Sequence, residues 1–476
     1  MNGAIHIVPM LTMAALILAA APSGAVGAEA AAMPLVSGPV TGGARGQPKT
    51  AAAMDIAQQG YVEQEFFVEG MARSFAPKGG AALSSDGLWE VTPGERHHYK
   101  TRMLVRRPVD PARFNGTVVV EWLQSHPGAA FDKDVYWIWT RAEILRDGFA
   151  WVGVSADRNA VGGHPPDSQD PYPDLVRWDP QRYGTLDIPD EDIGYDIFTE
   201  VARLVGPARI VHGVDPLAGL KVTHIISGSA SAATGRVITY INALQPIENA
   251  FDGFVLHARM DSTSRPLVAG VAQPAVVRIR SDLKVPVIVT NNEVEALRGY
   301  AARQPEGRLY RLWETAAAPH INVYWNDYFE KVMQRDFTAR SPLCQAGNDL
   351  PNQAVENAAL WWLNRWVRGM GEPPSFAPIS ISGPPDAIER DSAGVAKGGI
   401  RLPQIVVPAA RYSTKCPGVV PMTAAEFSNL YPTRNDYLAK FREAVAQGVK
   451  AGFLLKPDAE DMLQAVGAGP LQPGRI

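Results

Sequence analysis

One stretch constrains this chain more than any other: residues 221–236, KVTHIISGSASAATGR. A short β-branched run ends in a cluster of Gly, Ser and Ala, and Val237-Ile238-Thr239-Tyr240-Ile241 follows in a helical pattern. Strand, tight turn with a serine at its tip, then helix is the layout of a nucleophile elbow. Small residues flank the serine there because the strained turn packs against its own helix. Three serines compete for the tip. Ser231 has Ser229 two places before it and Ala233 two after, whereas Ser229 has Ser227 and Ser231, and neither sits in a strict G-x-S-x-G. Serines that merely turn the chain or cap a helix give the same local pattern. If the elbow is real, the remaining sequence must supply a histidine, a carboxylate and an oxyanion hole.

The flanking sequence alternates strands and helices. Apolar runs at 117–123, 150–154, 253–257 and 286–290 predict buried strands, with 308–313 as the last strand of the sheet. An edge strand is expected at 65–70 and a half-buried one at 99–106, and helical spacing marks 134–147, 196–204 and 356–370. Strand, helix, strand in succession calls for a mostly parallel central sheet flanked by helices. Residues 156–193 break the pattern. They are rich in Pro, Asp, Gly and aromatics and too long for an ordinary connection, so they read as a lid-like insertion. Residues 29–60 read as a flexible lead-in. Residues 373–476 read as a C-terminal extension, Pro/Gly-rich at first and then helical from 423 to 466 with a break near Pro432. The expectation is a single α/β domain over 61–476.

Composition narrows the setting. A net charge of −4 with no basic stripe argues against a nucleic-acid partner. Residues 5–22 are nearly all apolar, and Ala28 with Val26 two places before it offers a cleavage site. Residues 1–28 are therefore expected to be a signal peptide and the protein to be exported, periplasmic or secreted. No later segment is long and apolar enough to span a bilayer. The two cysteines, Cys344 and Cys416, form an even count that in an exported chain favours a disulfide. No Cys/His spacing suits a structural zinc site, and the serine chemistry that the elbow predicts requires neither a metal nor an organic cofactor.

A serine nucleophile needs a base. Of the nine histidines, His320 lies just past the last expected strand, on the loop where this architecture holds its general base. His257 ends a strand and reads as a structural or pocket-wall residue, and His224 lies mid-strand and reads as core. The orienting carboxylate should fall between serine and histidine in the chain. There the strand ending at Thr290 runs into Asn291-Asn292-Glu293-Val294-Glu295, with Glu295 the first choice and Glu293 the alternative acid. The oxyanion hole would use the backbone N–H of Ala232 and one from the loop after Val120, with Gln124 favoured.

At larger scale the chain resembles a bacterial family known mostly as alpha/beta hydrolase domain-containing proteins. The resemblance runs from about Tyr61 to the C-terminus. It is carried by Val118-Val119-Val120-Glu121-Trp122-Leu123, Trp178-Asp179-Pro180-Gln181-Arg182-Tyr183-Gly184, Thr239-Tyr240-Ile241-Asn242-Ala243, Asp252-Gly253-Phe254 and Gly398-Gly399-Ile400-Arg401-Leu402-Pro403. In that family the elbow looks like Gly-Glu-Ser-Gln-Ser-Ala-Gly-Arg. Gap-free alignment on Arg236 and Tyr240 implies Ser231 as nucleophile and His320 as base, and places the family's likely acid on Glu295. The departures are Ser229 for the elbow glycine, Ala230 for its Glu, and Ala232-Ala233 for its Gln-Ser pair.

The resemblance implies the α/β-hydrolase fold and a serine esterase. Such an enzyme cleaves carboxylic esters through a Ser-His-Glu triad and an acyl-enzyme. An acyltransferase or lactonase would use the same triad, and a catalytically inactive binding protein would keep the fold and pocket. The aromatics of the insertion, Tyr172, Trp178 and Tyr183, and Trp361-Trp362 suggest a small-molecule ester that is bulky or aromatic.

Overall fold

Val118, Val119 and Val120 are all fully buried, yet Val118 and Val120 join one apolar cluster and Val119 the other. That is the period-two alternation of a strand covered on both faces. The computed structural model describes residues 1, 3, 33–126, 129–164, 171–210, 213–259, 261–339, 347–383 and 388–468. The expected signal peptide lies almost wholly outside these residues, and so does Cys344, the expected disulfide partner of Cys416.

Among the described residues the main sheet has nine strands. They are β1 (Leu35–Ser37), β2 (Tyr61–Pro77), β3 (Val91–Pro108), β4 (Thr117–Trp122), β5 (Ala150–Val154), β6 (His224–Ala230), β7 (Gly253–His257), β8 (Val287–Asn292) and β9 (Tyr310–Thr315). Their order is β1-β2-β3-β5-β4-β6-β7-β8-β9. The first three pair antiparallel, β3 meets β5 antiparallel, and β5, β4, β6, β7, β8 and β9 run parallel. The carboxyl ends of the parallel strands therefore share one edge, where open α/β sheets place their ligands.

Helices cover both faces. They are α1 (Val135–Asp147), α2 (Gly194–Leu204), α3 (Ala232–Ala243), α4 (Glu293–Arg298), α5 (Val323–Phe337) and α6 (Gln353–Val367), followed by α7 (Ala424–Leu430), α8 (Arg434–Ala451) and α9 (Lys456–Ala468). α2 and α3 contribute Phe198 and Tyr240 to one apolar cluster, while α1, α5 and α6 contribute Trp137, Trp325 and Leu360 to the other. The extension breaks into helices where its sequence stops and restarts them. Thr423 with Glu426 and Thr433 with Asp436 each form a capping box, on either side of Pro432. Among the described residues no helix is long and apolar enough to cross a membrane.

Three expectations are refined. β8 continues through Asn291 and Asn292, because both side chains find partners: Asn291 accepts from the Arg259 N–H at 3.1 Å and Asn292 from Asn352 at 2.9 Å. His224 opens β6 rather than lying mid-strand. It is half-buried, with Nδ1 3.0 Å from Thr223 Oγ1, and is not core. Trp178 and Trp362 brace the scaffold, their indoles donating to the Asp336 and Gly452 carbonyls at 2.9 and 2.7 Å. These two indoles serve as scaffold contacts.

From Met33 onward the lead-in packs against the insertion. Asp179 accepts the N–H groups of Ala44 and Arg45 at 3.1 and 3.0 Å. Arg182 donates to the Gly42 and Val40 carbonyls at 2.6 and 2.9 Å, and the Tyr183 hydroxyl accepts the Lys49 N–H at 3.0 Å. Within the expected insertion, residues 165–170 lie outside the described ones.

Candidate active site

β6 ends at Ala230 and α3 begins at Ala232, leaving Ser231 alone at the junction with φ 57 and ψ −130. A non-glycine residue held there costs on the order of 1–3 kcal/mol and persists only where its surroundings over-determine it. Here the His257 carbonyl accepts both the Ser231 N–H and the Thr234 hydroxyl at 3.0 Å, and the Thr234 N–H donates back to the Ser231 carbonyl at 3.0 Å. Gly228 is required lower down, because a Cβ at that position would fall 2.2 Å from the ring of Tyr136 on α1. Ser227 and Ser229 are both buried within β6. The Ser229 hydroxyl lies 3.4 Å from that of Thr234, so its extra bulk sits inside the strand and not in the turn.

The Ser231 Oγ lies 3.3 Å from His320 Nε2, across 89 residues of sequence. His320 Nδ1 lies in turn 2.7 Å from Glu295 Oε1. His320 sits on the loop between β9 and α5, where Asn322 caps the helix by accepting from the Trp325 N–H. Glu295 lies in the first turn of α4, directly after β8, and is fully buried. Burial alone would push its carboxyl up, but the hydrogen bond and charge of His320, with the charge of His257, hold it below its ordinary value. A hydroxyl, an imidazole and an ionised carboxylate in this sequence can take a proton from the hydroxyl and stabilise the resulting imidazolium.

Glu293 does something else. Its Oε1 pairs with Arg390 at 2.6 Å, its Oε2 accepts the Ala317 N–H at 2.7 Å, and its own N–H donates to the Ala318 carbonyl at 3.1 Å. It ties down the loop that carries His320, and these bonds do not go to the ring.

Ala232 is the first residue of α3, so its N–H has no carbonyl one turn back to bond. Gln124 is buried and opens a short strand, Gln124–His126, which pairs antiparallel with Ala129–Lys133 and packs against α3. The two residues expected at the oxyanion hole thus lie on neighbouring elements.

The link between those elements was not visible in the sequence. The Ser125 hydroxyl donates to Asp157 at 2.7 Å, and Asp157 pairs with Arg236 on α3 at 2.9 Å. The same guanidinium bonds Glu191 and lies over the Trp122 ring, 5.6 Å from its centroid. One half-buried arginine therefore couples α3 to the strand that carries Gln124. Burial and the Asp157 charge push the Glu191 carboxyl up to about 7 even with Arg236 opposing them.

The Alpha/beta hydrolase domain family matches residues 36–464. The chain belongs to that family. No curated protein matches it. Among solved structures it is similar to esterase Est22, at 13% identity and a TM-score of 0.34 over 65% of this chain and 81% of that one. It is also similar to methylesterase BT1017, at 10% identity and a TM-score of 0.31 over 66% and 62%. A bacterial heroin esterase follows at 13% identity and a TM-score of 0.28 over 61% and 88%.

In this alpha/beta hydrolase, His257 is the structural residue its strand-end position suggested. It is fully buried, with Nδ1 3.0 Å from Glu356 and 3.1 Å from the Thr290 hydroxyl, and its ring lies edge-on to Trp139. Arg236 served in the sequence only as an alignment marker. The one signal that could have raised it was an arginine on the apolar side of an otherwise small-residue helix start. Among the described residues, no cluster of three His, Cys, Asp or Glu is placed to hold a metal ion.

Proposed function

We propose that this chain is an exported serine hydrolase that cleaves carboxylic esters, with Ser231 as nucleophile, His320 as general base and Glu295 as the carboxylate that orients it. What carries the reading is the continuous relay from Ser231 through His320 to a buried, ionised Glu295, with Ser231 in a strained turn at the head of α3. His320 Nε2 takes the Ser231 proton as Oγ attacks the ester carbonyl. The N–H of Ala232, joined by a backbone N–H at Gln124, stabilises the oxyanion. His320 returns the proton to the departing alkoxide, leaving an acyl-enzyme. Water then attacks the acyl carbon by the same relay, and the acid departs from Ser231. Glu295 stays ionised throughout and steadies the imidazolium.

A p-nitrophenyl ester assay on wild type and Ser231→Ala tests the assignment. The variant should lose kcat by about four or more orders of magnitude, and a fluorophosphonate should label wild type but not the variant. Turnover that persists undiminished in Ser231→Ala removes Ser231 from the mechanism. Neither labelling nor turnover of any ester would leave a binding protein on a hydrolase fold. Removal of 1–28 and a Cys344–Cys416 disulfide belong to the same proposal, and the intact mass of the exported protein with and without reductant reads both.

A further inference from the structure

A cavity of about 320 Å³ opens against His320, with Arg298 from the end of α4, Asp327 from α5 and Lys415 on its wall. That volume lies at the small end of the range for pockets that take small ligands. Arg298 and Lys415 are exposed, and neither takes part in an ion pair among the described residues. Neighbouring arginines behave otherwise: Arg303, Arg311 and Arg335 each hold a carboxylate, at 2.5, 2.8 and 2.7 Å. Asp327 is the one carboxylate among the described wall residues. The wall thus sets two cations against one anion beside His320.

We propose that this cavity seats the leaving alcohol of the substrate, and that the alcohol carries a carboxylate recognised by Arg298 and Lys415. The inference rests on the esterase reading of Ser231, His320 and Glu295, and it names the substrate class for that site. The proton that His320 Nε2 takes from Ser231 must reach the departing oxygen, so that oxygen has to come within hydrogen-bond distance of Nε2. The acyl half remains on Ser231. The alcohol half starts at His320, and in this proposal it extends from there into the cavity that His320 lines; Ser231 is not among that cavity's described wall residues. Two uncompensated cations at its wall favour an anionic substituent there over a neutral one, and Asp327 opposes it only in part.

The experiment compares 4-acetoxybenzoate, an anionic aryl acetate, with its neutral methyl ester, which has the same acyl group. The readout is the ratio of their kcat/KM values in wild type, Arg298→Gln, Lys415→Gln, the double variant and Asp327→Asn. Each lost cation should lower the anionic-to-neutral ratio by up to about fivefold, the range of a solvent-exposed charge pair. Asp327→Asn should raise it, and added salt should shrink it in wild type. Because the ratio is taken within one protein, a variant that folds less well lowers both rates and leaves the ratio alone. A ratio unmoved by the double variant overturns the carboxylate subsite while leaving the esterase intact. Hydrolysis of neither ester, with wild type indistinguishable from Ser231→Ala, would instead bring down the esterase reading and the subsite with it.

Discussion

Glu293 and Glu295 are two residues apart and point to different partners because α4 starts at Glu293. Residues i and i+2 of a helix do not share a face. One phase sends Glu295 to His320 Nδ1 at 2.7 Å, and the other sends Glu293 to the Ala317 N–H and Arg390. The two conservative amides should therefore separate. Glu295→Gln should lower kcat by about 10⁴-fold with little change in melting temperature, since it keeps the shape and loses the charge that selects the tautomer. Glu293→Gln should lower the melting temperature first, because it strips Arg390 of its partner. The reverse pattern in a kcat and thermal-melt comparison would exchange their roles. In the sequence, alignment on Arg236 and Tyr240 singles out Ser231 from three competing serines more than local pattern does, and His320 stands out by its place just past the last expected strand. The choice between the glutamates was open, because residues 291–295 look like a polar loop until burial of Asn291 and Asn292 extends β8 and α4 begins at once.

At the level of elements, Arg236 with Asp157 joins the turn at Ser231 to the Gln124–His126 strand proposed to complete the site. Strand positions came through well in the sequence because buried parallel strands are continuous apolar runs. The joint did not, since a polar contact between residues 157 and 236 leaves no periodicity. If the joint holds the oxyanion donors in register, Asp157→Asn should lower kcat about tenfold to a hundredfold, the scale of a misplacement near 1 Å, with KM little changed. Arg236→Lys should recover part of what Arg236→Ala loses, because it restores the charge toward Asp157 but not the paired contact with Glu191. Steady-state kinetics give the split. A loss confined to KM, or an equal loss in stability and rate that lysine does not mend, would make this cluster plain scaffold.

Across the whole molecule, charge is buried where the chain folds back on itself. Glu65 on β2 pairs with Arg102 on β3 at 2.8 Å and with Arg182 of the insertion at 2.6 Å, while Arg102 also pairs with Asp132 at 2.7 Å. The Arg102 guanidinium further donates to the Lys49 carbonyl of the lead-in at 2.9 Å. Partners so distant in sequence explain why 29–60 and 156–193 read as loose segments, for neither has an apolar pattern of its own to announce its packing. The same burial leaves some carboxylates poorly compensated. Glu200, which accepts the Tyr99 hydroxyl at 2.6 Å, is pushed up to about 7 by burial, and Glu143 and Glu191 reach about 7 for the same first reason. A carboxyl raised in the folded state binds its proton more tightly there than in the unfolded chain, so its share of stability is full below about 4.5 and is lost as pH rises toward 7. Glu200→Gln cannot titrate and still accepts from Tyr99 through its amide oxygen. The melting temperature of Glu200→Gln minus that of wild type should therefore climb between pH 4.5 and 7 and level off above it. A difference that stays flat across that range would mean that Glu200 is ionised in the folded protein, with Arg73 offsetting its burial.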